Sequence, residues 1–248
     1  MPPHTLLSND IIDAHVATAR NQSAWSKEVR DSEFPALWAV LGQNSAIQDH
    51  YVNAALYGQG HSGQVTAEVT QLRNILLNMQ PPARVVCETG FNAGHSAALF
   101  LAAGARYVGF DLGEHIPNYG KAAFAHLSQR FPAGWLQVEW GNSRLGIPRF
   151  FAANPNVVCD VVSIDGDHSC DGVVADVNLL WPHTHALSVI LFDDSWDTAC
   201  HFTRLALRGM HCYKHSGRSD TTFGNARISS AAAGIGFCVY RRNATSVQ

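Results

Sequence analysis

The sequence predicts an α/β protein, with a mostly parallel sheet covered by helices on both faces, an antiparallel hairpin at its C-terminal edge and extra helices at its N-terminus. Three observations carry this expectation. From residue 84 to residue 194, short apolar runs alternate with amphipathic stretches of helical period. Four of the apolar runs end in acids. The last two runs have no convincing helix between them.

The first 65 residues read as helical. Ser8, Asn9 and Asp10 can cap a helix opening at Ile11, and residues 35–41 and 46–57 carry apolar side chains at spacings of three and four. Gly58, Gly60 and Gly63 break the pattern, and Gly60-His61-Ser62-Gly63 reads as a linker or a lid. A helix over 65–79 has the stripe Val65, Val69, Leu72, Ile75 and Leu76, and Pro81-Pro82 stops it.

Strands are then expected at 84–87, 107–110, 136–139, 157–164 and 188–192, with helices at 95–103, 121–130 and 173–180 between them. Residues 210–215 and 236–240 form the terminal hairpin, joined by a long segment, 216–233, read as a loop. A helix over 196–207 carries Trp196 and His201 as core or pocket residues.

Composition narrows the function classes. A net charge of −3 over 248 residues argues against a nucleic-acid binder, which carries a basic excess. No apolar stretch has the length of a membrane span, and no basic segment followed by an apolar run opens the chain, so a cytoplasmic protein is expected. Cys87, Cys159, Cys170, Cys200, Cys212 and Cys238 lack CxxC spacing and read as buried free thiols in a reducing compartment. The 13 histidines include His183, His185, His211 and His215, and show no HExxH spacing. Arg218 and Arg227 read as solvated loop charges.

In open α/β sheets ligands bind beyond the carboxyl ends of the strands, so the polar residues there are the informative ones. Glu88, Asp111, Asp165 and Asp193-Asp194 occupy those ends and need partners, because a buried unpaired carboxylate is costly. After the first strand, Glu88-Thr89-Gly90-Phe91-Asn92-Ala93-Gly94-His95-Ser96 is a glycine turn opening a helix, with spacing unlike the GxGxxG of pyrophosphate sites. Asp111 stands where an acid can accept hydrogen bonds from both ribose hydroxyls. Asn142 and Ser143 lie at the third strand end, within reach of an adenine edge or as a simple turn. Asp165-Gly166-Asp167-His168-Ser169, with Asp193 and Asp194, groups carboxylates suited to Mg²⁺ or to helix capping. His168 is a candidate general base, a role that imidazole often takes.

At these residues the sequence resembles the class I S-adenosylmethionine (SAM)-dependent methyltransferases over about residues 65–240. The run from Val85 to Ser96 is similar to their E-x-G-x-x-x-G motif, Phe110-Asp111 to their ribose-binding acid, and Ile164–Ser169 and Leu191–Asp194 to motifs of the small-molecule O-methyltransferase branch. The resemblance implies a Rossmann-like three-layer sandwich with a seven-stranded sheet, an N-terminal helical cap over 1–65 and a catalytic domain over 66–248. It implies that Glu88, Gly90, Asn92, Gly94 and Ser96 hold the methionine part of SAM, Asp111 the ribose and Asn142-Ser143 the adenine side. From the metal-dependent members the resemblance further implies that Asp165, beside the cofactor, joins Asp193 and Asp194 as Mg²⁺ ligands, and from some of them that His168 acts as base. The chain has Asp193-Asp194 where catechol- and caffeoyl-type enzymes have Asp-Asn. The expected partner is a small-molecule methyl acceptor, with no nucleic acid and no membrane. The oligomeric state is left open, a homo-oligomer included. The rival readings are a metal-independent N- or O-methyltransferase using His168, an NAD(P)-dependent oxidoreductase, and a non-catalytic SAM-binding module.

Overall fold

The computed structural model describes residues 72, 75, 76, 78–114, 119–193, 210–214, 219–223 and 235–241. The expected cap over 1–65, Asp194, the helix over 196–207, Arg218 and Arg227 lie outside them.

The chain alternates strand and helix: β1 Val85–Thr89, α1 His95–Ala102, β2 Arg106–Asp111, α2 Tyr119–Arg130, β3 Leu136–Trp140, α3 Ser143–Ala153, β4 Cys159–Ile164, α4 Cys170–Leu180 and β5 Thr184–Asp193. Three further strands follow, β6 Met210–Lys214, β7 Ser219–Phe223 and β8 Ile235–Arg241. They form one sheet in the order β3-β2-β1-β4-β5-β8-β6-β7. β1 to β5 pair in parallel, and β8, β6 and β7 each pair antiparallel to their neighbours. From β1 the chain first winds out to β3 and then crosses back to β4. The crevice for a ligand in such a sheet therefore lies at the ends of β1 and β4.

Strand alternation explains the three layers. On one face Val86, Tyr107, Val161 and Leu191 pack with Ala97, Phe100 and Leu101 of α1 and Ala123 and Leu127 of α2. On the other, Val85, Val108, Phe110, Val162 and Ile190 pack with Ile147, Phe150 and Phe151 of α3 and Val173, Val177 and Leu180 of α4. Leu72, Ile75 and Leu76 of the predicted N-terminal stripe are helical and buried in the first of these cores. Among the described residues no helix is long and apolar enough to cross a membrane.

Four expectations need correction. Among the described residues the sheet has eight strands, because β8 inserts between β5 and β6 and the segment read as a loop supplies β7. The hairpin pairing itself is present, with Cys212 opposite Cys238. Asn142 and Ser143 do not form a bare turn but open α3, which Pro148 hid from the sequence pattern by interrupting a helical run. Four of the cysteines read as free thiols are not free: Cys87 and Cys159 form a disulfide, and Cys170 and Cys238 are disulfide-bonded. Cys87 and Cys159 are 72 residues apart and meet through the β1–β4 pairing, which no local spacing foretells. The expectation of a reducing compartment thereby loses its basis.

Candidate active site

Glu88, Asp111, Asp165 and Asp193 stand at the carboxyl ends of β1, β2, β4 and β5, four consecutive strands of the sheet order. Residues from four distant stretches of sequence thus share one rim.

The turn after β1 is held by its own neighbours. Gly90 donates its N–H to Phe110 O at 2.9 Å, and Asp165 donates to Thr89 O at 3.0 Å. Gly90 has φ +88°, and a Cβ there would stand 1.9 Å from Asp165 O. Its glycine is therefore demanded by the backbone of β4 before any ligand is considered. Asn92 follows in the left-handed region, φ 48°, which asparagine tolerates. Its N–H donates to Asp111 Oδ2 at 2.8 Å. Gly94, at φ 78°, is the N-cap of α1 and makes no side-chain capping bond.

Asp111 is buried and fixes two turns together. Oδ2 accepts from Asn92 and Oδ1 accepts from the Gly113 N–H at 2.7 Å. Each oxygen keeps a second lone pair for a further donor such as a hydroxyl.

Glu88 is 1% exposed. Its Oε2 accepts hydrogen bonds from Ser96 Oγ at 2.7 Å and from the Tyr107 hydroxyl. Its Oε1 has no hydrogen-bond partner. Burial pushes the Glu88 carboxyl up to about 7, against the pull of the Tyr107, Ser96 and Ser163 hydroxyls, and the charge of Asp193 adds to the rise. A buried acid with one open oxygen is costly by itself and is relieved by a cationic donor.

At the end of β4, His168 Nε2 lies 3.6 Å from Asp165 Oδ1, an ion-pair separation longer than a hydrogen bond, with the imidazole two-fifths exposed. Asp167 turns back on its own loop, accepting from the Ser169 N–H at 2.9 Å, and Ser169 caps α4 through Gly172. The Asp193 residue is partly buried. With Asp194 outside the described residues, the predicted metal set is represented by Asp165 and Asp193, and no group of three potential ligands occurs among the described residues.

Asn142 and Ser143 both serve the scaffold. Asn142 caps α3, accepting from the Arg144 N–H at 2.9 Å, and Ser143 Oγ donates to Asp176 Oδ1 at 2.8 Å. Asp176 was not singled out from the sequence. It is a buried acid of α4 whose pKa burial raises, and a Cβ on Gly166 would meet its Oδ2 at 3.2 Å. Tyr107 was also missed, although a lone glycine two residues on, Gly109, signals a close approach within a strand. His95, the first residue of α1, is buried and held neutral, its pKa lowered to about 4 by burial.

Residues 87–195 match a family model described as a methyltransferase domain. No curated protein matches the sequence. Among solved structures, the chain is similar to the O-methyltransferase from Bacillus cereus in complex with S-adenosylhomocysteine (SAH), at 16% identity and a TM-score of 0.55, covering 90% of this chain and 99% of that one. It is also similar to the TDP-rhamnose 3′-O-methyltransferase of calicheamicin biosynthesis, at 17% identity and a TM-score of 0.50, covering 84% and 91%. At these identities the likeness shows the fold, and the family model adds the domain type. Residues 87–195 are thus similar to a methyltransferase domain, on a sheet that has the fold of these solved enzymes.

Proposed function

We propose that this protein transfers a methyl group from SAM to a hydroxyl of a small-molecule acceptor. The observation that carries the reading is that a buried glutamate with an open oxygen, a bond-sharing aspartate and an Asp–His pair stand at the ends of three adjacent parallel strands. Glu88 Oε1 suits the ammonium of the methionine part, and the remaining lone pairs of Asp111 suit the ribose hydroxyls. Gly90, Asn92, Gly94 and Ser96 shape the turn around that part, and Asn142-Ser143 border the adenine side.

When bound, SAM supplies a methyl group on a positively charged sulfur. The chain's own residues then have two tasks. They hold donor and acceptor in line, which converts an encounter into a unimolecular step. They also take the acceptor's proton: His168 accepts it, and Asp165 at 3.6 Å steadies the resulting imidazolium. The acceptor oxygen gains the methyl, and the electron pair of the broken carbon–sulfur bond stays on sulfur.

Asp165 and Asp193 could share a divalent cation that lowers the acceptor's pKa, with Asp194 as the third ligand of that reading. Methyl transfer measured with and without excess EDTA separates the two routes. Full activity in chelator leaves His168 as the base; loss restored by Mg²⁺ supports the cation.

The primary test is a thermal-shift comparison of SAM, SAH and NADH. A ligand of the native state at a hundred times its Kd adds about 2.7 kcal/mol of stability. For a chain of this size that corresponds to a rise of roughly 5–10 °C. SAM and SAH are expected to give it and NADH to give none; a shift with NADH alone sinks the proposal.

A further inference from the structure

Tyr107 has no part in the chemistry above, yet it is fully buried and its hydroxyl donates to Glu88 Oε2. The fold brings it there by an arrangement visible in the register. Gly109 of β2 lies directly opposite Glu88 of β1. Tyr107 is two residues earlier on the same face of β2. Its ring passes over Gly109, since a Cβ at 109 would stand 2.8 Å from Tyr107 Cε1 and 3.2 Å from its hydroxyl oxygen. Glycine at 109 is thus what lets the phenol reach the strand end. Phe91 meets the ring edge-on at 6.0 Å and Phe100 stacks on it at 6.3 Å, so the ring is held from two sides.

We infer that Tyr107, admitted by Gly109, is a positioning residue for cofactor recognition: together with Ser96 it saturates Oε2 of Glu88 and leaves Oε1 as the acceptor for the ligand's ammonium group. The inference rests on the proposal that Glu88 holds the methionine part of SAM.

The groups that act on the Glu88 charge come from four elements: Ser96 of α1, Tyr107 of β2, Ser163 of β4 and, through its charge, Asp193 of β5. The three hydroxyls favour the charged carboxylate, while burial and Asp193 oppose it. Tyr107 is a permanent donor, because burial and the charges of Glu88, Asp111 and Asp165 raise its own pKa well above the usual phenol range. Removing its hydroxyl takes one donor from a carboxylate that already ionises only near pH 7. A protonated Glu88 offers the ammonium no charge, so binding moves to higher pH.

Calorimetric titration of SAH between pH 5.5 and 8.5 tests this. Wild-type affinity is expected to climb with pH and level off above about 7. In Tyr107→Phe the midpoint moves up by about one pH unit or more, the weight of a hydrogen bond to a charged group. Binding then falls about tenfold at pH 6.5 and much less at pH 8.5. Ser96→Ala shifts the midpoint in the same direction. A merely structural tyrosine lowers affinity by one factor at every pH. Should Tyr107→Phe fail to fold, Gly109→Ala replaces it: the hydroxyl remains, but the added methyl blocks its path, and the same shift is expected. Unchanged midpoints, or wild-type binding that ignores pH, overturn the inference and leave the proposed function standing. No SAH binding by wild type at any pH strikes the proposed function instead.

Discussion

The two ends of the β1–β4 strand pair each hold a carboxylate, and the two are finished differently. At the amino end, Asp160 of β4 is saturated. Its Oδ2 accepts from the backbone N–H groups of Arg84 and Val85 at 2.8 and 2.9 Å, and its Oδ1 meets His185 Nε2 at 2.8 Å. His185 Nδ1 in turn accepts from the Leu187 N–H, which assigns the proton on Nε2 to the bond with Asp160. Ser188 closes the network between the His185 N–H and Cys159 O. At the carboxyl end, Glu88 is deeper and less complete, with two donors on one oxygen and none on the other. Every oxygen of Asp160 is used to join strands, whereas Glu88 is held out of water with a place left for something else. Saturation, more than residue type, separates a clamp from a binding group.

The sharpest way to break that contrast is to neutralise Glu88. Its carboxyl titrates near 7 in the folded protein against an ordinary value of 4.5. Between those values the unfolded chain has lost a proton that the folded chain still holds. Stability therefore falls as pH rises from about 4.5 to 7 and is flat above, by up to about 3 kcal/mol. Glu88→Gln removes that cost. Denaturant unfolding is expected to show the variant similar to wild type at pH 4 and more stable at pH 8, while SAM binding is lost. If the Glu88→Gln variant is instead the weaker protein at pH 8, Glu88 is a clamp like Asp160 and the contrast fails.

A matched pair of substitutions comes next in size. Asp111→Ala removes two prospective charge-assisted bonds to ribose and is expected to weaken SAM about a hundredfold. Asp160→Asn strips the charge that three donors converge on and should cost about 2 kcal/mol of folding stability. Its SAM affinity is expected to stay within about threefold of wild type once the folded fraction is accounted for, because Asp160 lies at the far end of the strands. Calorimetry and denaturation on both proteins decide the matter. A large loss of SAM binding in Asp160→Asn removes the division between the two ends.

Much of the rim was legible in the sequence, because acids closing apolar runs are conspicuous and strand ends are where an α/β sheet binds ligands. Glu88, Asp111, Asp165 and Asp193 are each placed at a strand end by that logic. What was hidden depends on register and on distant partners. Gly90 reads as a ligand-facing glycine, but the Asp165 carbonyl fills the place of its side chain. Tyr107 reads as core filling until Gly109 is seen opposite Glu88. The Cys87–Cys159 bond and the insertion of β8 beside β5 are long-range pairings that leave no local trace. α3 was missed for the opposite reason, a local signal that misleads, since Pro148 sits inside a helix that packing on Phe110 sustains.

Asp176 falls between the two extremes and gives the smallest and most discriminating effect. It is 4% exposed and accepts from Ser143 on Oδ1, and its pKa is raised by burial while the Ser143 and Thr89 side chains pull it down. A carboxyl already driven toward its neutral form loses little when replaced by an amide of the same shape. Asp176→Asn is therefore expected to change stability by less than about 1 kcal/mol and SAM affinity by less than about threefold. The amide oxygen still accepts from Ser143, so the start of α3 keeps its anchor. Stability is read by denaturant unfolding and affinity by calorimetry on the same preparation. Full stability with lost SAM binding would move Asp176 from the scaffold to the acids proposed to hold the ligand, beside Glu88. Lost stability with retained binding would make it a second clamp of the Asp160 kind, standing at the opposite end of the sheet.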